Sequence, residues 1–427
     1  MKVLLVGSGG REHALAWKLL QDDPTIELIC APGNAGIAEI TDCIPVKATD
    51  IKGLAAFAER ARVDLTVVGP EIPIEAGIVD LFQGAGRKIF GPTQNAARIE
   101  TSKSFAKEIM RDAGVQTARA TTHSDIDLAK AALREAGAPI VVKACGLAAG
   151  KGVVVAHSIE EAERAIEMMI GDRAFGDAGA EVLLEDYMEG EELSLFAITD
   201  GTNVVPLIGA QDHKRLLDDD LGPNTGGMGA YCPVSIATQS LVDEIVGTVF
   251  LPTLAGLRSR DSMFTGLLYA GLMITSDGPK VVEFNCRFGD PEAQVILPLL
   301  AGGLAECMAS VARGQAPTAL SLEPGLFAVT TVLAARGYPE VPVKGAEITI
   351  PESLPPDVTV FHAGTARDED GTLRVVGGRV LNVTAVASSF EEAQAQSREA
   401  ADAIQFDGKV FRRDIGWREA ARLTSRV

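Results

Sequence analysis

The sequence predicts an α/β and α+β multidomain protein. A doubly wound parallel α/β domain opens it, a larger α+β core follows, and a small β-rich domain closes it. Three observations carry this. The chain has 427 residues, too many for one ordinary hydrophobic core, so two to four domains are expected. Residues 1–100 alternate strand and helix patterns, the order that builds a parallel sheet. From about residue 326 the pattern shifts to short strands with Gly-Gly and Asp-Gly turns.

Taken in order, "KVLLVG" (2–7) reads as a buried parallel strand and "REHALAWKLLQ" (11–21) as an amphipathic helix. "IELICAPG" (26–33) is the next strand, and "LAAFAERARV" (54–63) is helical. "DLTVVGPE" (64–71) and "KIFGPT" (88–93) are strands flanking a helix, "IEAGIVDLFQGAG" (74–86). Ligands of such sheets sit at the carboxyl ends of the strands, here 7–10, 32–36 and 69–71. A helix then opens at "TSKSFAKEIMRDAG", capped by Thr101 or Ser102 and stopped by Gly114. Strands are expected around 140–143, 152–156, 181–187 and 193–199, with the helix "SIEEAERAIEMMI" capped by Ser158 among them. "GLLYAGLMIT" and "KVVEFNCRF" read as a strand pair joined by the turn "SDGP", and one further helix is expected near 389–404.

Charge excludes some partners. The balance of 39 basic against 58 acidic residues is −19, which repels nucleic acid and anionic lipid. No stretch approaches the ~20 apolar residues of a membrane helix, and Met1–Gly10 lacks the apolar run of a signal peptide. The six cysteines are scattered without a CxxC pair, which fits reduced thiols in a cytoplasmic protein.

Five loops carry candidate chemistry. In "GSGGREH", Gly7 and Gly9 match the first two glycines of a dinucleotide fingerprint, but Glu12 stands at the third and strand two ends without an acid. NAD is disfavoured. A phosphate at the helix N-terminus and a tight strand-to-helix turn both remain open. "KACGLAAGKGVVV" lies between two strands and lacks the Ser/Thr of a Walker A loop, so it reads as a hairpin flap. Its Gly146, Gly150 and Gly152 bring backbone N–H groups near phosphates, and Lys143 and Lys151 add charge; a plain surface hairpin is the alternative. In "VVEFNCRFGDPEAQ", Glu283 and Asn285 share a strand face, two oxygen donors that suit Mg²⁺ (or Mn²⁺). Arg287 continues that face as a donor fork for phosphate, and Asp290 follows a Gly turn. A solvent-facing polar stripe explains the same pattern. "LLEDYMEGEELS" places Glu185, Asp186, Tyr187 and Glu192 at a hinge that could meet a purine and a ribose, or is simply an acidic hairpin. "QDHKRLLDDDLGPNTGGMGAYCP" (211–233) reads as one long charged loop without hydrophobic period, in which Asp212 could hold an ammonium, and Lys214 and Arg215 a phosphate.

Together with "APGNAG", "GPNTGGMGAY", "RFGDPEAQ", "VFHAGT" and "GGRVLNVTA", these strings resemble, in order and over nearly the whole chain, the glycinamide ribonucleotide synthetase family of ATP-grasp ligases. The resemblance implies an N-terminal substrate-binding domain (1–101), an ATP-grasp domain (102–325) with an inserted nucleotide lid at about 115–190, and a C-terminal β-rich domain (326–427). It implies ligation of glycine to 5-phosphoribosylamine with ATP and Mg²⁺ or Mn²⁺, through glycyl phosphate. Lys103 and Lys143 then hold ATP phosphates under the flap formed by Gly146, Gly150, Lys151 and Gly152. The Glu185, Asp186 and Tyr187 segment meets adenine, and Glu192 meets the ribose. Glu283 and Asn285 bind the metal, and Arg287 and Lys143 are the catalytic pair. Asp212 and Asp290 meet the glycine ammonium, Lys214 a substrate phosphate. Gly9, Gly10, Asn34 and Glu71 seat phosphoribosylamine. A transient contact with the enzyme that supplies this labile amine belongs to the same expectation; nucleic acid and membrane do not. Cys145 stands where the family's pattern carries an acid. Another ATP-grasp ligase or carboxylase, and a non-catalytic dinucleotide-binding module, are the alternatives.

Overall fold

The computed structural model describes residues 1–146 and 152–425. Its first hundred residues form a parallel five-stranded sheet, from one edge Asp42–Cys43, Glu27–Pro32, Lys2–Gly7, Leu65–Val68 and Ile89–Phe90. The continuous apolar runs explain the parallel pairing, since helices cover both faces, and Lys2–Gly7 and Leu65–Val68 are apolar apart from Lys2 at one start and the buried Thr66. The strand order reverses between Lys2–Gly7 and Leu65–Val68, which opens a crevice at their carboxyl ends. The helix expected over 74–86 is two short helices, Glu71–Glu75 and Ile78–Gly84. Gly77 between them has φ +83°, a left-handed turn that ends one helix before the next begins.

Helix Gly10–Asp22 departs from a simple amphipathic pattern. Arg11, Glu12, His13 and Lys18 are buried along with its apolar residues. The helix is wedged between the first sheet and the rest of the chain, so its polar side meets protein groups. Lys18 pairs with Asp22 at 2.8 Å and donates to the Leu300 carbonyl.

Two antiparallel sheets follow. A small one, in the order Ala120–His123, Val182–Asp186, Ile140–Ala144 and Val153–Ala156, packs against helices Ile126–Ala136 and Ile159–Ile166 around its own core of Leu133, Val142 and Ile166. The other contains Val204–Pro206, Glu191–Thr199, Gly266–Thr275 and Gly278–Asn285. Residues 187–190 join the two sheets. The helix between them and the first domain, Lys103–Ala113, is capped by Ser102, whose hydroxyl accepts from Phe105 N, and ends at Gly114 with φ +70°.

The third large sheet corrects the reading of 211–233 as one long loop. It runs Gln211–Asp212, Gly229–Cys232, Phe327–Ala335, Arg379–Ala387 and Val358–His362, all antiparallel, with Lys409–Val410 also on Phe327–Ala335. The excursion between its first two strands is a hairpin of Arg215–Leu217 and Leu221–Asn224. Strands of two to four residues are too short to show an alternating period, so the signal was absent from the sequence. Helix Phe390–Ala403 covers this sheet.

Gln239–Ser259 corrects a second expectation. It is a helical run of 21 residues, long and apolar enough by length and composition to cross a membrane. Asp243 and Glu244 interrupt the apolar letters, which hid it from a count of continuous runs. Its Ile245, Val249, Leu254 and Leu257 are buried in a core shared with helix Lys103–Ala113. Gly256 lets the two helices approach, since a Cβ there would lie 3.3 Å from Ala113 Cβ.

Candidate functional site

Two lysines meet one carboxylate, with a third close by, where the small sheet faces the larger one. Lys143 closes strand Ile140–Ala144 and pairs with Glu185 Oε2 at 2.6 Å, while Lys107 pairs with Glu185 Oε1 at 3.0 Å. Lys143 also donates to the Val282 carbonyl at 3.2 Å. That residue is the extra one of a β-bulge, where Gly271 pairs with Glu283 but Leu272 pairs with Val281. Lys103 donates to the Gly146 carbonyl at 3.2 Å. Burial pushes the Glu185 carboxyl up, but Lys143 and Lys107 outweigh it and hold it below its ordinary value. Burial pulls the Lys103 and Lys107 ammonium groups down against the pull of Glu283 and Glu185. Buried cations in excess of their acids make a site for an anion. Sequence reasoning missed Lys107; its signal is the spacing of four from Lys103 on one helix face.

The flap is described at its two feet. Ala144 N donates to the Gly152 carbonyl, and Gly146 N to the Ala178 carbonyl at 3.0 Å. A Cβ on Gly146 would fall 2.7 Å from Ala178 Cα, so this backbone approach requires glycine. Gly150 and Lys151 lie outside the described residues. Cys145 is buried, and burial pushes its thiol up to about 11.

The expected adenine segment divides into two roles. Glu185 has its carboxylate on the lysines, whereas Asp186 and Tyr187 are exposed at the joint between the sheets. Glu192 starts the next strand, is exposed, and pairs with Lys214.

Glu283 and Asn285 lie on the same side of strand Gly278–Asn285, with Phe284 and Cys286 buried on the other. Among the described residues no group of three or more His, Cys, Asp or Glu could hold a metal. Two oxygen donors still fit Mg²⁺, which binds few protein ligands and shares phosphate oxygens.

Arg287 is drawn toward the first domain. Its Nη2 lies 3.1 Å from Glu100 Oε1 and its Nε 3.2 Å from Glu71 Oε2. Cys286 N donates to the other Glu100 oxygen at 2.8 Å. Burial alone would raise the Glu71 carboxyl, but Arg287 and Arg11 pull it down to about 2. Glu100, fully buried beside Glu71, is pushed up by burial against the pull of Arg287. Glu100 was missed because it sits inside a helix with no motif around it.

The remaining candidates fall in two places. Asp212 pairs with Lys214 at 2.8 Å. Burial pushes its carboxyl up to about 6, with Lys214 opposing and Glu292 and Glu192 adding to the rise. Glu292 is buried and accepts from Tyr269 Oη at 2.8 Å. Asp290 lies apart, with Oδ2 on Arg379 at 3.0 Å and Oδ1 accepting from Gln294 at 2.7 Å. The Asn34 side chain is engaged too, donating to Ser8 and His362 carbonyls and accepting from Gly36 and Ile37 N–H groups.

Glu12 fills the crevice of the first sheet. It accepts from Gly9 N, and a Cβ on Gly7 or Gly69 would fall 2.4 Å or 2.1 Å from its side chain. The helix N-terminus thus carries its own carboxylate, a capping arrangement that leaves no room for a dinucleotide pyrophosphate. Gly10 is equally confined, 2.2 Å from Asn382 Nδ2 to a built Cβ.

Comparison with known proteins covers nearly the whole chain. Family models described as phosphoribosylglycinamide synthetase match in sequence: the N domain over residues 1–100, the ATP-grasp (A) domain over 101–293 and the C domain over 328–418. A phosphoribosylamine–glycine ligase of Xylella fastidiosa is 48% identical over 425 residues, covering 99% of both chains. One of Halalkalibacterium halodurans is 48% identical, covering 97% of this chain and 96% of its own. The crystal structure of the Thermotoga maritima phosphoribosylamine–glycine ligase superposes with a TM-score of 0.85 at 36% identity, covering 97% of this chain and 100% of that one. A Campylobacter jejuni biotin carboxylase shares the fold, at 18% identity and a TM-score of 0.74 over 96% of this chain and 92% of its own. Matched across all three parts and by close relatives over its whole length, the chain belongs to the phosphoribosylglycinamide synthetase family.

Proposed function

We propose that this chain joins glycine to 5-phosphoribosylamine, converting ATP to ADP and phosphate and yielding glycinamide ribonucleotide for purine biosynthesis. Family membership and full-length relatives named phosphoribosylamine–glycine ligase support the activity. The observation that carries the site is Lys143, which bridges Glu185 of the small sheet and the Val282 carbonyl beside Glu283.

A carboxylate is a poor electrophile. In the proposed sequence a glycine carboxylate oxygen attacks the γ-phosphorus of ATP, ADP leaves, and glycyl phosphate forms. The amine of phosphoribosylamine then attacks the carbonyl carbon, phosphate leaves, and the amine loses a proton. Lys103, Lys107 and Lys143 neutralise ATP phosphates, with Gly146 and Gly152 at the feet of the flap beside them. Asp186 and Tyr187 meet adenine and Glu192 the ribose. Glu283 and Asn285 would hold Mg²⁺, with Mn²⁺ as substitute; the ion supplies charge neutralisation at the phosphates. Arg287 steadies the transferring phosphoryl group, Asp212 takes the glycine ammonium, and Lys214 neutralises a substrate phosphate. Gly9, Gly10 and Glu71 border the phosphoribosylamine site, with Asn34 shaping the loop. Asp290, held by Arg379 and Gln294, is the second carboxylate proposed for the ammonium. The scattered free cysteines and acidic surface favour a cytoplasmic setting, and the lability of the amine favours transient contact with the enzyme that supplies it.

Product analysis with ATP and Mg²⁺ tests the reading by omitting glycine and phosphoribosylamine in turn. ADP release that requires both supports the ligase. AMP would mean adenylation and a misread site, and bicarbonate-dependent ADP would mean a carboxylase.

A further inference from the structure

Among the described residues, no hydrogen bond or ion pair joins the C-terminal part to the lysine cluster or to Glu283 and Asn285, yet this part grips both segments that carry the remaining charged groups. Arg379 opens strand Arg379–Ala387. Its Nη2 pairs with Asp290 Oδ2 at 3.0 Å, and its Nη1 donates to the Gly226 carbonyl at 2.6 Å and to the Asp290 carbonyl. Tyr338 Oη accepts from Gly226 N at 2.9 Å. The turn and the Asp290 loop touch directly, since a Cβ on Gly227 would fall 2.4 Å from Pro291 Cδ. From this turn the chain runs back along its hairpin to Lys214, whose carbonyl accepts from Thr225 N at 2.7 Å. The far end is held as well: Arg412 pairs with Asp220 at 2.8 Å and donates to the Arg215 carbonyl at 3.2 Å. His213, between Asp212 and Lys214, accepts from Gly416 N at 2.8 Å.

We infer that Arg379 is a positioning residue for the amino-acid substrate: by locking the Gly226 turn to the Asp290 loop, it sets Asp212 and Lys214 against the loop that begins at Arg287. The inference rests on the proposed reading of Asp212 as the ammonium ligand. An arginine is needed because its planar fork serves a carboxylate and two carbonyls at once, whereas a lysine supplies the charge without the fork. Arg379 is 20% exposed and reaches the site only through these backbone and carboxylate partners.

The test is steady-state kinetics of the full chain carrying Arg379→Lys, Arg379→Ala, Tyr338→Phe or Asp212→Asn. Loss of the forked contacts in Arg379→Lys should raise the glycine KM about tenfold, with the ATP KM within about twofold of wild type. Arg379→Ala should raise it further. Tyr338→Phe removes only the hydroxyl that accepts from Gly226 N and should raise the glycine KM about threefold. If Arg379→Ala does not fold, Arg379→Lys and Tyr338→Phe carry the test. A glycine KM raised by Asp212→Asn but untouched by the Arg379 and Tyr338 variants overturns the inference and leaves the site reading standing. Glycine and ATP KM rising together in the Arg379 variants also overturn it, because a general loss of structure moves both. A glycine KM unchanged in Asp212→Asn overturns the site reading and the inference built on it.

Discussion

Lys143 touches both antiparallel sheets of the proposed nucleotide site, so its loss should show in turnover more than in folding. Lys143→Ala leaves Glu185 with Lys107 alone and removes charge from the phosphate site, and kcat should fall roughly a hundredfold. Near-normal turnover in a rapid-quench assay would contradict the assignment. Glu283→Gln keeps the shape of the strand but removes the charge of the proposed metal donor. Its activity should fall and be partly restored by raised Mg²⁺; a Mg²⁺ titration parallel to wild type would instead favour a plain polar stripe. Asp212 titrates at about 6, so it loses its charge as pH falls through that value. The glycine KM should rise below about pH 6, and a flat profile from pH 7.5 to 5.5 would remove Asp212 from the ammonium site. These side chains were all named from sequence, whereas Lys107, Glu100 and Arg379 were not: they lie in ordinary helical or strand contexts, and only their partners mark them.

Among the elements, helix Lys103–Ala113 links local stability to the site, since it carries Lys103 and Lys107 in its first turns. Ser102 satisfies the Phe105 N–H at its start. Ser102→Ala should destabilise the protein by about 1 kcal/mol and raise the ATP KM, as read by urea unfolding and kinetics on one preparation. Unchanged stability would mean that packing on Gln239–Ser259, not the cap, holds this end. Caps of this kind were legible: Ser102, one of two residues the sequence offered, and Ser158 each accept from the backbone N–H three residues on, and Ser389 does the same at the last sheet's helix. The hairpin at 215–224 was not, because its strands are too short to alternate and the arginines that hold its tip, Arg412 and Arg418, lie nearly 200 positions away.

At the scale of the whole molecule, the first and last parts close on each other through two buried histidines. His362 N donates to His13 Nδ1 at 2.8 Å, and both rings are buried beside Gly36, whose Cβ would strike them. Burial lowers His13 from 6.5 to about 3, the charge of His362 adding to the effect. Burial likewise lowers His362 from 6.5 to about 4. Both are neutral in the fold, while the unfolded chain binds protons below about pH 6.5. Stability from this pair is therefore full above that pH and is lost as pH falls toward 4 and 3. At pH 5 the loss is about 2 kcal/mol for each histidine. Urea unfolding at pH 7.5 and 5.0 should show His362→Asn losing about 2 kcal/mol less than wild type over that interval. Equal losses would place the acid sensitivity elsewhere.

The sequence by itself determined what is local. Apolar runs specified the parallel strands, serines and glycines set the helix ends, and a spacing of two put Glu283 and Asn285 on one side of a strand. Only the tertiary structure decided the partners of the charges. Arg287 meets Glu71 from 216 positions away, and Lys143 reaches Val282 across 139. The same is true of Glu12 in the crevice and of a sheet shared between 211–232 and the C-terminal part. Periodicity reports backbone geometry over a few turns, whereas a buried ion pair depends on where packing brings distant segments together.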